Sequence, residues 1–255
     1  MPCARLIAGD HPSRTFVTAP IPDAAAPDDA AEPMRAVFTR AQWSAAAAAL
    51  LGIVAMFLYP GGTTRNHASV GYSITENFLS DLGMTVAWNG QRNHIGAGLF
   101  VSSMALLVIG MGGALAGFVR QYASTPSSRR FAYAALIVGA VACACFVGVA
   151  LTPENRAMSL HIGFTLAAFR ILPFVALLLT LAARATPTAP PQTWSGWAVL
   201  TAVLAAYAVM LQGGAWTATA AGFVAQVVAQ KVVAIVMVCV VVWQSHEVTT
   251  TTSDS

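Results

Sequence analysis

Six apolar runs stand out along the chain, near residues 41–59, 95–118, 131–151, 157–182, 195–212 and 217–243. A helix rises about 1.5 Å per residue, so about 20 such residues cross the roughly 30 Å hydrocarbon core of a bilayer. Polar segments rich in turn formers separate most of the runs: TPSSRR at 125–130, TPTAPPQT at 186–193 and QGGA at 212–215. Proline and glycine in these places end helices. The pattern predicts an all-α, polytopic membrane protein, a six-transmembrane-helix bundle over residues 40–245. Residues 1–39, dominated by Ala, Pro and Asp, read as a disordered tail, and 246–255 as a short C-terminal tail. No apolar stretch follows Arg5 before the acidic run, so the start does not read as a signal peptide.

One connector is long, from Pro60 to His94, and within it residues 72–83 read YSITENFLSDLG. Ser73 and Glu76 have the spacing of a capping box, and Gly83 suits the left-handed position beyond a helix end. At 100° per residue, Ile74, Phe78, Leu79 and Leu82 share one side and Glu76, Asn77, Ser80 and Asp81 the other. The spacing therefore predicts a short amphipathic helix in the first outer loop. In one reading its polar side faces water and the helix closes the mouth of the bundle. In the other, Asn77, Ser80 and Asp81 turn inward over a polar cavity.

Composition supports the membrane reading. Hydrophobic residues make up 57% of the chain and charged residues 9%, against about 25% charged in ordinary globular proteins. The net charge of +3 does not indicate nucleic-acid binding, because the basic residues lie singly at the edges of apolar runs. Cys3 is in the tail, and Cys143, Cys145 and Cys239 fall inside apolar runs, as small packing residues do. With the N-terminus inside, Arg35, Arg40, Arg120, Arg129, Arg130 and Arg184 are cytoplasmic and only Arg65, Arg92 and Arg156 outside. That bias predicts a cell-membrane protein with both termini cytoplasmic and the long loop outside.

Two apolar runs carry a cation, Arg170 in the fourth and Lys231 in the sixth. Each costs roughly 2.5–3.5 kcal/mol on insertion scales, so a partner or a wet cavity is expected. Asp81 pairing with one of them would be a structural lock. An anion from outside, a lipid phosphate or a small solute, would instead make a binding site. Both accounts expect Arg170 to point into the bundle. Pro173 is expected to bend the fourth span, Gly113 and Gly117 to form a close helix contact, and Gln226 and Gln230 to hydrogen-bond between helices near Lys231.

Asp81, His94, Glu154 and His161 all fall near the outer surface by this topology. Two histidines and a carboxylate suit zinc with an open position, which gives a second functional class, a membrane-embedded hydrolase or lipid-modifying enzyme. No HExxH, HxxxH or Gly-x-Ser-x-Gly supports it, and no metal or cofactor is assigned.

GYSITENFLSDLG, followed by RNH at 92–94, resembles the bacterial six-span membrane family known as domain of unknown function 998. That family is similar to the wider Frag1/DRAM/Sfk1 group. The resemblance implies a six-span fold with an SDLG signature after the first span, and an association with lipid handling. It is supported by His161 and by a basic residue in the last span, here Lys231. The leading expectation is a lipid-associated or small-anion-binding membrane protein. Its polar site would hold Asn77, Ser80, Asp81, His94, His161, Arg170 and Lys231, and membrane lipids are its expected partners.

Overall fold

The computed structural model of the protein describes residues 27–212 and 214–251. It is all-helical, with α1 (Pro27–Leu58), α2 (His94–Tyr122), α3 (Pro126–Leu151), α4 (Glu154–Arg184), α5 (Pro191–Met210), the single-turn α6 (Ala215–Ala218) and α7 (Ala220–Thr251). Among the described residues six helices are long and apolar enough to cross a membrane, spanning Met34–Leu58, His94–Tyr122, Pro126–Leu151, Glu154–Arg184, Pro191–Met210 and Ala220–His246. Large apolar side chains project from their outer faces, with Phe57 84% and Ile95 71% exposed, as a lipid-facing surface requires.

Helix α1 starts earlier than the sequence pattern indicates. Extension buries Phe38, whose ring lies 4.8 Å from that of Phe118. The expected disordered tail is corrected over 27–39, and residues 1–26 lie outside the described residues. The C-terminal tail is likewise shorter, since α7 runs to Thr251.

The spans form a closed ring, α1–α2–α3–α4–α5–α7, with α7 completing it between α5 and α1. The α1–α2 seam is the most extensive. Gly117 admits the Phe38 ring and Gly110 admits Ser44, where a Cβ would lie 2.8 and 2.9 Å from these side chains. Nothing approaches Gly113, so the close approach uses Gly110 and Gly117 rather than the expected Gly113–Gly117 pair. The hydroxyls of Ser44 and Ser103 donate across the seam to the carbonyls of Leu106 and Ala48 at 2.8 and 2.7 Å. At the bundle end away from the long loop, the Trp197 indole donates to the Tyr122 hydroxyl at 3.1 Å and stands edge-on to Phe118.

Within α4, Ala157 has non-helical dihedrals, at φ −142° and ψ 50°, and Pro173 lies inside the helix. Thr152 closes α3, its hydroxyl donating back to the Gly148 carbonyl at 2.7 Å.

Candidate functional site

The connector 59–93 folds as a compact cap over one end of the ring. Gly62 turns it at φ +84°, a conformation strained for other residues, and passes against the Trp88–Asn89 backbone, where a Cβ would clash. The expected amphipathic helix is replaced by one turn at Ser73–Asn77 and a 3-10 turn over Leu79–Gly83. Its capping box does not form. The Ser73 amide donates to the side-chain oxygen of Asn77 at 2.9 Å, and the Glu76 carboxylate instead accepts from the Thr63 hydroxyl at 3.4 Å.

The two sides do not separate as drawn, since Leu82 of the apolar side is buried along with two residues of the polar side. Asn77 and Asp81 are fully buried, whereas Ile74 is 65% exposed. Gly83 does not adopt a positive φ. It matters because its Cα lies against the Phe100 ring, where a Cβ would come within 2.6 Å.

Asn77 is the junction of the cap. Its amide nitrogen donates to Asp81 Oδ2 at 2.7 Å and to the Gly62 carbonyl at 2.9 Å. Its own carbonyl accepts from the Tyr72 hydroxyl at 3.0 Å and from Lys231 Nζ at 2.6 Å. Lys231 thus reaches up from α7, also meeting the Val227 carbonyl at 3.4 Å and lying 5.5 Å from the Tyr72 ring centroid. Beside it in the chain, Gln230 accepts from the Leu79 amide at 2.8 Å. Both α7 side chains hold loop backbone, so Gln230 bridges to the loop rather than to a neighbouring helix. Below the turn, Asn93 donates from one amide group to the carbonyls of Leu82 and Met84 at 3.0 and 2.9 Å.

Asp81 therefore pairs with neither cation; its hydrogen-bond donor is the Asn77 side chain, and the lock runs through the Asn77 carbonyl. Asp81 Oδ1 and the buried Trp88 indole nitrogen lie on facing groups without reaching hydrogen-bond geometry. Burial raises the Asp81 carboxyl from its ordinary value of 3.8 to about 7, with the Glu154 charge adding to the rise and Asn77 and Trp88 opposing it. Burial, and then the Asp81 charge, hold the Tyr59 and Tyr72 hydroxyls protonated; Tyr72 donates to the Asn77 and Phe78 carbonyls, and Tyr59 accepts from the Trp88 amide at 3.4 Å.

The remaining expected site residues disperse. Ser80 is half-buried and His94 is exposed at the first position of α2. Buried His161 uses Nδ1 on the Thr152 carbonyl at 2.7 Å, leaving Nε2 unpartnered. Arg170 is corrected most plainly. It faces outward, and its guanidinium donates to Gln212 at 3.0 Å, just beyond the end of α5. With 20 residues α5 is the shortest span, so its end offers a polar partner that a snorkelling arginine reaches along the surface. Among the described residues no group of three His, Cys, Asp or Glu side chains is arranged to hold a metal ion. The zinc alternative is left without a ligand set.

Open space lies in the other half of the ring. A cavity of about 60 Å³ is lined by α2, α3, α4, α5 and α7, with Met111, Leu115, Cys143, Phe146, Val175 and Met237 in its wall. Its one polar wall group of note, the Trp197 indole, is already spent on Tyr122. A smaller cavity of about 10 Å³ adjoins it between α1 and α7. No sequence motif marks these walls, because each is built from single apolar residues on several helices. Compared with known families, curated proteins and solved structures, the chain has no match.

Proposed function

We propose that this integral membrane protein binds a membrane lipid by seating the end of one of its apolar chains in the cavity inside the helical ring, whose volume of about 60 Å³ admits a few methylene groups. The observation that carries this reading is the apolar cavity itself, within the membrane-crossing part of the bundle. Such a space stays free of water because it offers no polar partners. Hydrocarbon is the solute that the surrounding bilayer supplies at high concentration. The polar cap at the other end acts as a lid fixed by Lys231, Gln230 and Asn93, not as an anion pocket, since the Lys231 ammonium is engaged by backbone carbonyls. The residues NFLSDLG support a relation to the six-span family they resemble, whose wider group is associated with lipid handling. The basic residues favour both termini in the cytoplasm of a cell-membrane protein and the cap on the opposite side.

The test is native mass spectrometry of the full chain released from nanodiscs of phosphatidylethanolamine and phosphatidylglycerol. The parent retains one lipid. Ala142→Phe, which places a ring in the cavity wall, retains little. A parent that flies bare, or a variant that retains lipid equally, overturns the reading.

A further inference from the structure

The two cavities are not independent. They share Leu107, Met111, Met237 and Val241 as a common wall, and the smaller one extends from it to Ala45 of α1 and Val242 of α7. Exposure rises along that line, from Leu204 at 2% and Met237 at 4% inside to Val242 at 36% on the outer face. On the far side of the ring the wall is tight: Gly139 is occupied closely by Leu115, and Gly148 by the Phe164 ring. The seam between α1 and α7 is also where the chain closes its ring without a covalent connection between neighbours.

We infer that the lipid chain reaches the central cavity laterally, through the seam between α1 and α7 at the bundle end away from the cap, with its oxygen-bearing head left at Gln42. This rests on the reading of the central cavity as a lipid-chain site. Met111 and Met237 form the partition between the two spaces, and unbranched thioether side chains reorganise more readily than branched ones. They can part for a chain without helix displacement. The outer space has two polar side chains in its wall, Gln42 and Ser245. Ser245 is buried and its hydroxyl donates to the Val241 carbonyl at 2.7 Å. Gln42 is half-buried, and among the described residues its amide makes no hydrogen bond to the protein. Its two N–H donors suit the ester or phosphate oxygens where a lipid chain begins.

The experiment uses the full chain in nanodiscs and a phosphatidylcholine with a diazirine at the end of one acyl chain, delivered from donor vesicles. Samples are irradiated over time and adducts mapped by mass spectrometry. In the parent, label reaches Cys143 and Phe146. In Ala45→Phe and in Val238→Phe, which narrow the seam from opposite sides, labelling of those residues slows at least about fivefold while the final yield is kept. Gln42→Leu hastens loss of bound lipid. Equal labelling rates in the parent and both seam variants overturn the route while the cavity reading stands. Absence of label at Cys143 and Phe146 in the parent overturns the cavity reading and the route with it.

Discussion

Replacing Lys231 with methionine keeps most of the side-chain length and removes the ammonium that ties α7 to the cap. The substitution abolishes a charged hydrogen bond of 2.6 Å to the Asn77 carbonyl, a weaker one of 3.4 Å to Val227, and the cation 5.5 Å from the Tyr72 ring centroid. Hydrogen bonds involving a charged group contribute about 1.5–3 kcal/mol. Two effects reduce that figure. Asn77 keeps the Tyr72 hydroxyl at 3.0 Å as a donor, and the variant no longer desolvates a half-buried ammonium. A net loss of about 1–2 kcal/mol of cap stability follows. At about 1.4 kcal/mol per factor of ten, amide exchange at Asn77, Leu79 and Asp81 rises roughly 5- to 30-fold. Exchange in the middle of α3 does not change, because that segment packs away from the cap. Hydrogen exchange read by mass spectrometry resolves the two segments. Cap amides exchanging within about twofold of the parent would refute the lock.

Three further outcomes follow from the same geometry. The Asp81 carboxyl lies at about 7 in the folded protein against 3.8 ordinarily, so the fold holds this proton more tightly than the unfolded chain. Its contribution to stability is full below the ordinary value and is lost as pH rises through about 7, a span equivalent to roughly 4 kcal/mol. Thermal unfolding of the parent therefore declines over that window, and Asp81→Asn flattens the decline; an unchanged slope contradicts the burial of this carboxylate. Gly83→Ala, whose Cβ would lie 2.6 Å from Phe100, destabilises by about 1–3 kcal/mol, and Phe100→Leu restores part of the loss in unfolding measurements on the double variant. Arg170→Leu expresses and unfolds like the parent in detergent, because among the described residues the guanidinium bonds only an exposed glutamine, and a collapse of expression would place that arginine inside the bundle.

The architecture is readable from the chain because each span is a long apolar run between proline- or glycine-marked turns, and the bilayer sets its length. Other features depend on packing that periodicity does not carry. Helical spacing puts the polar side chains of the cap on one side and leaves open which way it faces, whereas residues 73–83 use a turn and a 3-10 turn that bury Asn77 and Asp81. Asn93 is one residue before the more conspicuous His94, yet it is the one that is buried and holds the SDLG turn. Lys231 is visible as a cation in an apolar run, and Gln230 as an amide beside it. That both serve the loop backbone follows only from a connector that descends to their level. Arg170 looks stranded in its own run because the early end of α5, and with it Gln212, is a property of a different helix. The cavity leaves no trace in the sequence, since space left between five helices needs no polar signal.

The decisive observation is a density map of the full chain in lipid nanodiscs, viewed inside the ring between Phe146 and Met237. A bound lipid chain gives elongated, unbranched density there, continuous past Met111 to the α1–α7 seam and ending beside Gln42. Side chains closed upon one another across that space, with no density between them, would contradict lipid binding in the ring.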